Sequence, residues 1–208
     1  MAAKKGAKRS VVYQFRIALL EIRPEIWRQI VVPERYTFWD LHVAIQDAMG
    51  WLDYHLHQFD VEGPARAEVT IGLPDEEFGE DILPGWEVGI ASYFTRPGQS
   101  ASYTYDFGDG WRHEVVLEGL FLGTPGSRYP ACIAGARACP PEDCGGSHGL
   151  KELNKVLANS RHKQHREMAE WVEGQGRYRP YHPEEFALEQ VRFDNPKTRW
   201  KRAFEGAR

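Results

Sequence analysis

Residues 101–120 leave little choice of local structure. Ala101–Phe107 and Trp111–Leu120 are two runs of alternating character flanking Gly108-Asp109-Gly110. That turn composition tolerates positive φ, so the runs read as a β-hairpin. On the first strand Tyr103, Tyr105 and Phe107 share one face, with Asp106 on the other. On the return strand Trp111, His113 and Val115 share a face opposite Arg112 and Glu114. Asp106-Phe107-Gly108 also occurs in kinases, but the phosphate loop, strand lysine and catalytic loop that would accompany it are missing here.

The rest of the sequence is organised around that hairpin. Val11–Leu20 alternates Tyr13, Phe15, Ile17 and Leu19 as a strand, and Ile26–Val32 is its antiparallel partner, ended by Pro33. Thr37 can cap a helix, Asp40 completes a capping box, and Phe38, Leu41, Ile45 and Ala48 form the apolar stripe up to Gly50. His55–Glu62 reads as a strand. Residues 63–100, with the acid group Asp75, Glu76, Glu77, Glu80 and Asp81, read as a long excursion, and residues 123–149 as a Gly/Pro/Cys-rich loop. Leu150, Leu153, Val156 and Leu157 mark one helix, and Met168, Trp171 and Val172 a second, ended by Gly174. A third short helix is expected from Pro183, with Asn195-Pro196 stopping it. Strands mostly first and helices mostly last predict an α+β fold. Its antiparallel sheet is built from hairpins, with one early helix and a C-terminal helical segment. For 208 residues, a single domain over 11–195 suffices, between a flexible basic N-terminus (1–10) and a basic C-terminal tail (196–208).

The net charge of −4 hides a split: residues 1–10 and 196–208 carry +4 each, leaving −12 for the body. The basic ends are either solvated termini or short arms that touch phosphate. No apolar run is long enough to cross a membrane as a helix. The basic start is no convincing signal peptide, because Gln14 and Arg16 interrupt the apolar stretch and no small-residue cleavage site follows. A cytoplasmic protein with reduced thiols is expected, and three cysteines cannot close a disulfide framework.

Several groups could carry chemistry. Asp106, Asp109 and His113 cluster near one turn and could hold a divalent cation or transfer protons, or the carboxylates could serve turn amides. His55-x-His57 can chelate a metal from a strand face, or be a half-buried pair beside Trp51 and Phe59. His162 and His165, among Arg161, Lys163 and Arg166, read as a solvated basic face. Cys132, Cys139 and Cys144 could bind zinc, with His148 or a hairpin histidine as fourth ligand, or be free thiols or a redox pair. Glu142 and Asp143 complete the set of candidate acids.

Together these residues carry a resemblance. Ile26-Trp27-Arg28, Trp51 with His55-Leu56-His57-x-Phe59, Tyr103-x-Tyr105-Asp106-Phe107-Gly108-Asp109-x-Trp111-x-His113 with Glu118, and Cys139-Pro140-Pro141-Glu142-Asp143-Cys144-Gly145-Gly146 run through residues 11–193. The chain resembles the plasmid pRiA-type open-reading-frame-three-like family, which also carries a transposon-passenger, TnpR-like label. The resemblance implies an α+β protein found on bacterial and archaeal chromosomes, plasmids and mobile elements. It assigns no role to the motif residues. Leu150 departs from the pattern, where a Tyr after Gly149 is more usual. The resolvase-like label is not carried over, because no nucleophilic Ser stands near an Arg cluster ahead of a helix-turn-helix.

Two function classes follow. One is an accessory protein that engages a macromolecule, protein or nucleic acid, through its polar motif surface, basic ends and the aromatics Trp27, Trp39 and Trp111. The other is a small metal-dependent enzyme, such as a hydrolase. In it His57, His113, Asp106, Asp109, Glu142 and Asp143 converge on zinc or another divalent cation that activates water.

Overall fold

The computed structural model describes residues 10–63, 66–74 and 82–205. The basic segment 1–9 and the acid group 75–81 lie outside the described residues, as does 206–208. The fold is α+β around one mixed eight-stranded sheet. The strands are β1 (Val11–Leu19), β2 (Trp27–Pro33), β3 (His57–Glu62), β4 (Glu68–Gly72), β5 (Leu83–Pro84), β6 (Ser100–Tyr105), β7 (Trp111–Leu122) and β8 (Ala131–Ala136). Their order is β5-β4-β3-β6-β7-β1-β2-β8. Sequential hairpins supply β1·β2, β3·β4 and β6·β7, while β1·β7, β3·β6 and β2·β8 are long-range antiparallel pairs. The β4·β5 pair is parallel, so the sheet is not built from hairpins alone.

The alternation of the central hairpin does place its core. Tyr103 pairs with His113 and Tyr105 with Trp111 in register, and all four are buried, as is Val115. The pattern stops at Asp106, whose φ of 55° is left-handed. The chain leaves the pleat there, so Phe107 is 41% exposed instead of joining Tyr103 and Tyr105, while Asp106 is buried. The two loop assignments need correction. Residues 63–100 contain β4, β5 and a 3-10 turn, Ile90–Ser92, and residues 123–149 contain β8.

Helix α1 (Phe38–Met49) has the expected capping box: Asp40 N donates to Thr37 Oγ1, and Thr37 N to Asp40 Oδ2. Gly50 ends it at φ 103°. Phe38, Leu41, Ala44, Ile45, Ala48 and Met49 join the core with residues of the sheet. Its other face is buried too. Helices α2 (Gly146–Ala158) and α3 (His165–Val172) lie beyond the cysteine-bearing loop. In place of the third helix expected from Pro183 there is only a 3-10 turn, Leu188–Gln190. Asn195-Pro196 starts a helix rather than stopping one. Asn195 caps α4 (Pro196–Trp200), with proline in the first turn, and a π-helical turn follows over Lys201–Glu205.

This C-terminal segment covers the second face of α1. Asp47, fully buried, accepts from Arg177 Nη1 and Arg199 Nη2 through Oδ1, and from Asp194 N through Oδ2 at 2.7 Å. Arg199 also donates to Asp53 Oδ2 at 2.9 Å and Asp194 Oδ2 at 2.8 Å. Trp200 packs edge-on against Trp39, ring centroids 5.2 Å apart, and also contacts Trp86. Burial alone would raise the Asp53 carboxyl, but His42, His57 and Arg199 outweigh it and hold it well below the ordinary carboxylate range. Removing one member of such a buried network leaves the others uncompensated. Arg199→Ala is therefore expected to cost about 3 kcal/mol in chemical denaturation. Arg192→Ala, an exposed neighbour, serves as control and should stay within about 0.5 kcal/mol of the parent.

A candidate metal centre

Three loops meet at one end of the sheet. The approach to β3 carries His55, the β6–β7 turn carries Asp106 to Gly110, and the loop before α2 carries Glu142 to Gly145. The turn is fixed locally. Asp106 Oδ1 accepts from Gly108 N at 3.0 Å and Asp109 N at 3.2 Å, and Asp106 N donates to Leu56 O at 3.0 Å. It is joined to the third loop by Gly145 N, which donates to Asp109 Oδ2 at 3.0 Å. The contact is tight at Gly146 (φ 66°), where a Cβ would lie 2.6 Å from Asp109 O. Only glycine permits that approach.

Glu142 anchors the third loop from inside. It is fully buried and accepts from Leu52 N at 2.6 Å and from the Tyr105 hydroxyl at 3.1 Å. Its own N donates to Gln175 O, and Trp51 Nε1 donates to Pro140 O at 3.0 Å. Burial raises the Glu142 carboxyl above its ordinary pKa, the hydrogen bonds from Leu52 and Tyr105 only partly offsetting it.

The outcome is one cluster. One ligand atom from each of His55, Asp106 and Asp143 lies within 4.8 Å of the others, the one such group among the described residues. His55 Nε2 is 3.1 Å from Asp143 Oδ1 and 3.7 Å from Asp106 Oδ2. It makes no hydrogen bond of good geometry to either. Asp106 uses Oδ1 for the turn and turns Oδ2 toward the imidazole. Asp143 has a left-handed φ of 54° and a side chain 59% exposed, so the cluster opens to solvent on its side. One imidazole and two carboxylates form a nitrogen-and-oxygen donor set for a borderline or hard divalent ion.

The other sequence candidates fall elsewhere. His57 points into the core and stacks on His42, ring centroids 3.4 Å apart and planes 6° from parallel, so it does not share a ligand set with His55. His42 Nε2–H serves Asp53 Oδ1 at 2.9 Å, leaving Nδ1 to accept from Tyr103 OH at 2.9 Å. His113 is fully buried. Its Nδ1–H donates to Tyr103 O at 3.2 Å, and Nε2 has no hydrogen-bond partner among the described residues. Asp109 and Glu142 position the loops. His148 is exposed on α2. Cys132, Cys139 and Cys144 are free, and none joins a three-ligand cluster among the described residues. Burial pushes all three thiols up, Cys144 to about 12. Of the expected stacking aromatics, Trp39 and Trp111 are buried. His42, Asp53 and Arg199 went unrecognised in the sequence, because no local spacing marks them.

A small α+β domain whose hairpin turn and Pro-Pro-Glu-Asp loop assemble a His/Asp/Asp cluster is the class these features define. The chain matches the family described as plasmid pRiA4b ORF-3-like protein over residues 11–190, and belongs to it. It is 37% identical over 163 residues to the "Uncharacterized protein y4hQ" of Sinorhizobium fredii, covering 77% of this chain and 80% of that one. The crystal structure of the protein of unknown function MM3350 from Methanosarcina mazei Go1 is similar in fold, with a TM-score of 0.78 and 38% identity. That match covers 89% of this chain and 100% of that one.

His113 makes a pH prediction. Burial lowers its pKa to about 4 from an ordinary value of 6.5. On acidification the unfolded chain therefore takes up this proton first, and stability decreases as the pH is lowered across that interval. The contribution is complete above about 6.5 and lost progressively toward about 4, worth about 3 kcal/mol in total. Denaturation from pH 7 to 4 should show a shallower decline in His113→Phe than in the parent. Glu142, whose pKa is raised, acts in the opposite sense in both proteins and cancels in the comparison.

Proposed function

We propose that the chain is a divalent-cation protein whose centre is His55, Asp106 and Asp143, and that the cation serves hydrolytic chemistry. The observation that carries this is the convergence of three ligand groups from three separate loops. Three protein donors with one open side are the arrangement of catalytic rather than closed structural sites, since the remaining position can take water. A cation there would lower the pKa of that water and supply a nucleophile near neutral pH. The donor set suits zinc or manganese, and the thiols stay outside it. Isothermal titration of metal-free protein should show one equivalent of Zn²⁺ or Mn²⁺ bound. Asp143→Asn, at an exposed position, and Asp106→Asn, which keeps the turn acceptor, should each weaken it by about tenfold or more. Unchanged affinity in both would remove the centre.

A second reading is an accessory role on nucleic acid. It is favoured by one surface: Lys197, Lys201 and Arg202 are exposed beside Phe204, 48% exposed, and Trp86, 37% exposed. Cations with adjacent aromatic rings suit a phosphate backbone and its bases. If duplex or single-stranded DNA is the partner, replacing the three cations by Gln should flatten the salt dependence of binding. The log–log slope should fall by about one unit for each phosphate that is no longer neutralised. An unchanged slope would dismiss this face.

A further inference from the structure

Arg28 is 1% exposed in the interior and has no carboxylate partner among the described residues. Its Nε donates to Ala48 O at 2.9 Å, and its Nη1 to Trp27 O at 2.8 Å and Ala136 O at 3.0 Å. Its Nη2 makes no hydrogen bond among the described residues. The Phe186 ring covers the guanidinium at 3.8 Å. The titratable neighbours Cys132, Cys139 and Tyr178 are neutral near pH 7, because burial raises each of them, Tyr178 to about 12. Three carbonyl dipoles solvate the cation, but no anion balances it, whereas buried charges are normally paired.

Arg28 lines a cavity of about 290 Å³. Its walls mix apolar and aromatic side chains, among them Met49, Val172, Tyr178, Tyr181 and Phe186, with polar ones, among them Gln175 and the exposed His182 and Glu185. A cavity with aromatic walls and a few convergent polar groups, one of them a buried cation, is the usual form of a small-molecule site.

We propose that this cavity binds a small organic carboxylate, its anionic group on Arg28 and its apolar body between Tyr178, Tyr181 and Phe186. The site is independent of the cation centre, although the loop containing Cys139 to Pro141 lines it and Asp143 of that same loop belongs to the centre. The volume suits a single ring with a short acid arm. Glu185 disfavours a second negative charge at the pocket, which selects a monoanion over a phosphate dianion.

Calorimetric titration with phenylacetate, phenylacetamide and inorganic phosphate tests this. Phenylacetate should bind at one equivalent, at least about tenfold tighter than its neutral amide, and phosphate should not bind. Ala187→Leu, which fills the cavity and leaves Arg28 in place, should abolish binding, and Arg28→Gln should erase the preference for the acid over the amide. If Arg28→Gln fails to fold, the Ala187→Leu result and the acid-over-amide ratio decide the matter. Equal affinity for acid and amide, binding unchanged in Ala187→Leu, tighter binding of phosphate, or no binding of phenylacetate at millimolar concentration would each overturn the proposal.

Discussion

The buried carboxylate of Asp47 sets the arrangement of everything outside the sheet. A helix with one apolar face needs only the sheet beneath it, but α1 places Asp47 on its opposite face. An ionised carboxyl there demands donors, and the chain supplies Arg177, Arg199 and the Asp194 amide from residues more than one hundred positions away. The C-terminal segment therefore covers α1 through buried ion pairs as well as through aromatic packing of Trp200 and Phe204 on Trp39. Such networks are worth little as net stability but are costly to break on one side. They specify which segment covers the helix more than they strengthen it.

A second buried carboxylate, Glu142, does the equivalent for the proposed cation centre. Among the described residues it has no guanidinium or ammonium partner. Its donors are Leu52 N and Tyr105 OH, which belong to the approach to β3 and the end of β6. One side chain thus registers the third loop against the elements that carry His55 and Asp106. Asp143 follows it directly, in a left-handed conformation that Asp tolerates better than most residues. Asp106 is in the same conformation at the other side of the cluster. Two of the three cluster residues therefore hold sparsely populated backbone states, kept there by the Asp106 turn and by the Gly145–Asp109 bridge.

What was legible in the sequence follows from how local each determinant is. The capping box of α1, the alternation of β1 and the Gly-Asp-Gly turn are written within a few residues, and the structure has them. Strand β8, with the sequence Ala-Cys-Ile-Ala-Gly-Ala, has no alternation to read and is a strand because β2 pairs with it. Asn195-Pro196 is ambiguous in principle: proline ends a preceding helix and also suits the first turn of a following one. Its meaning was decided by Arg199, whose partners lie on or just beyond α1. In the cluster, His55, Asp106 and Asp143 were each visible as candidates by type. That they meet, while His57 and His113 turn into the core, depends on the β3·β6 and β6·β7 registers and on Glu142, which no short spacing encodes.

The charge split shows the same limit. The last thirteen residues carry +4, and by composition they are a basic arm. Arg199, however, is 7% exposed and is spent on Asp47, Asp53 and Asp194, so part of that excess neutralises acids of the body rather than facing solvent. Part of the negative charge of the body is likewise internal. What stays exposed in this segment is Lys197, Lys201 and Arg202, while the carboxylates of Asp106 and Asp143 gather around His55. A net charge of −4 for the whole chain therefore says little about the charge at any one place on it.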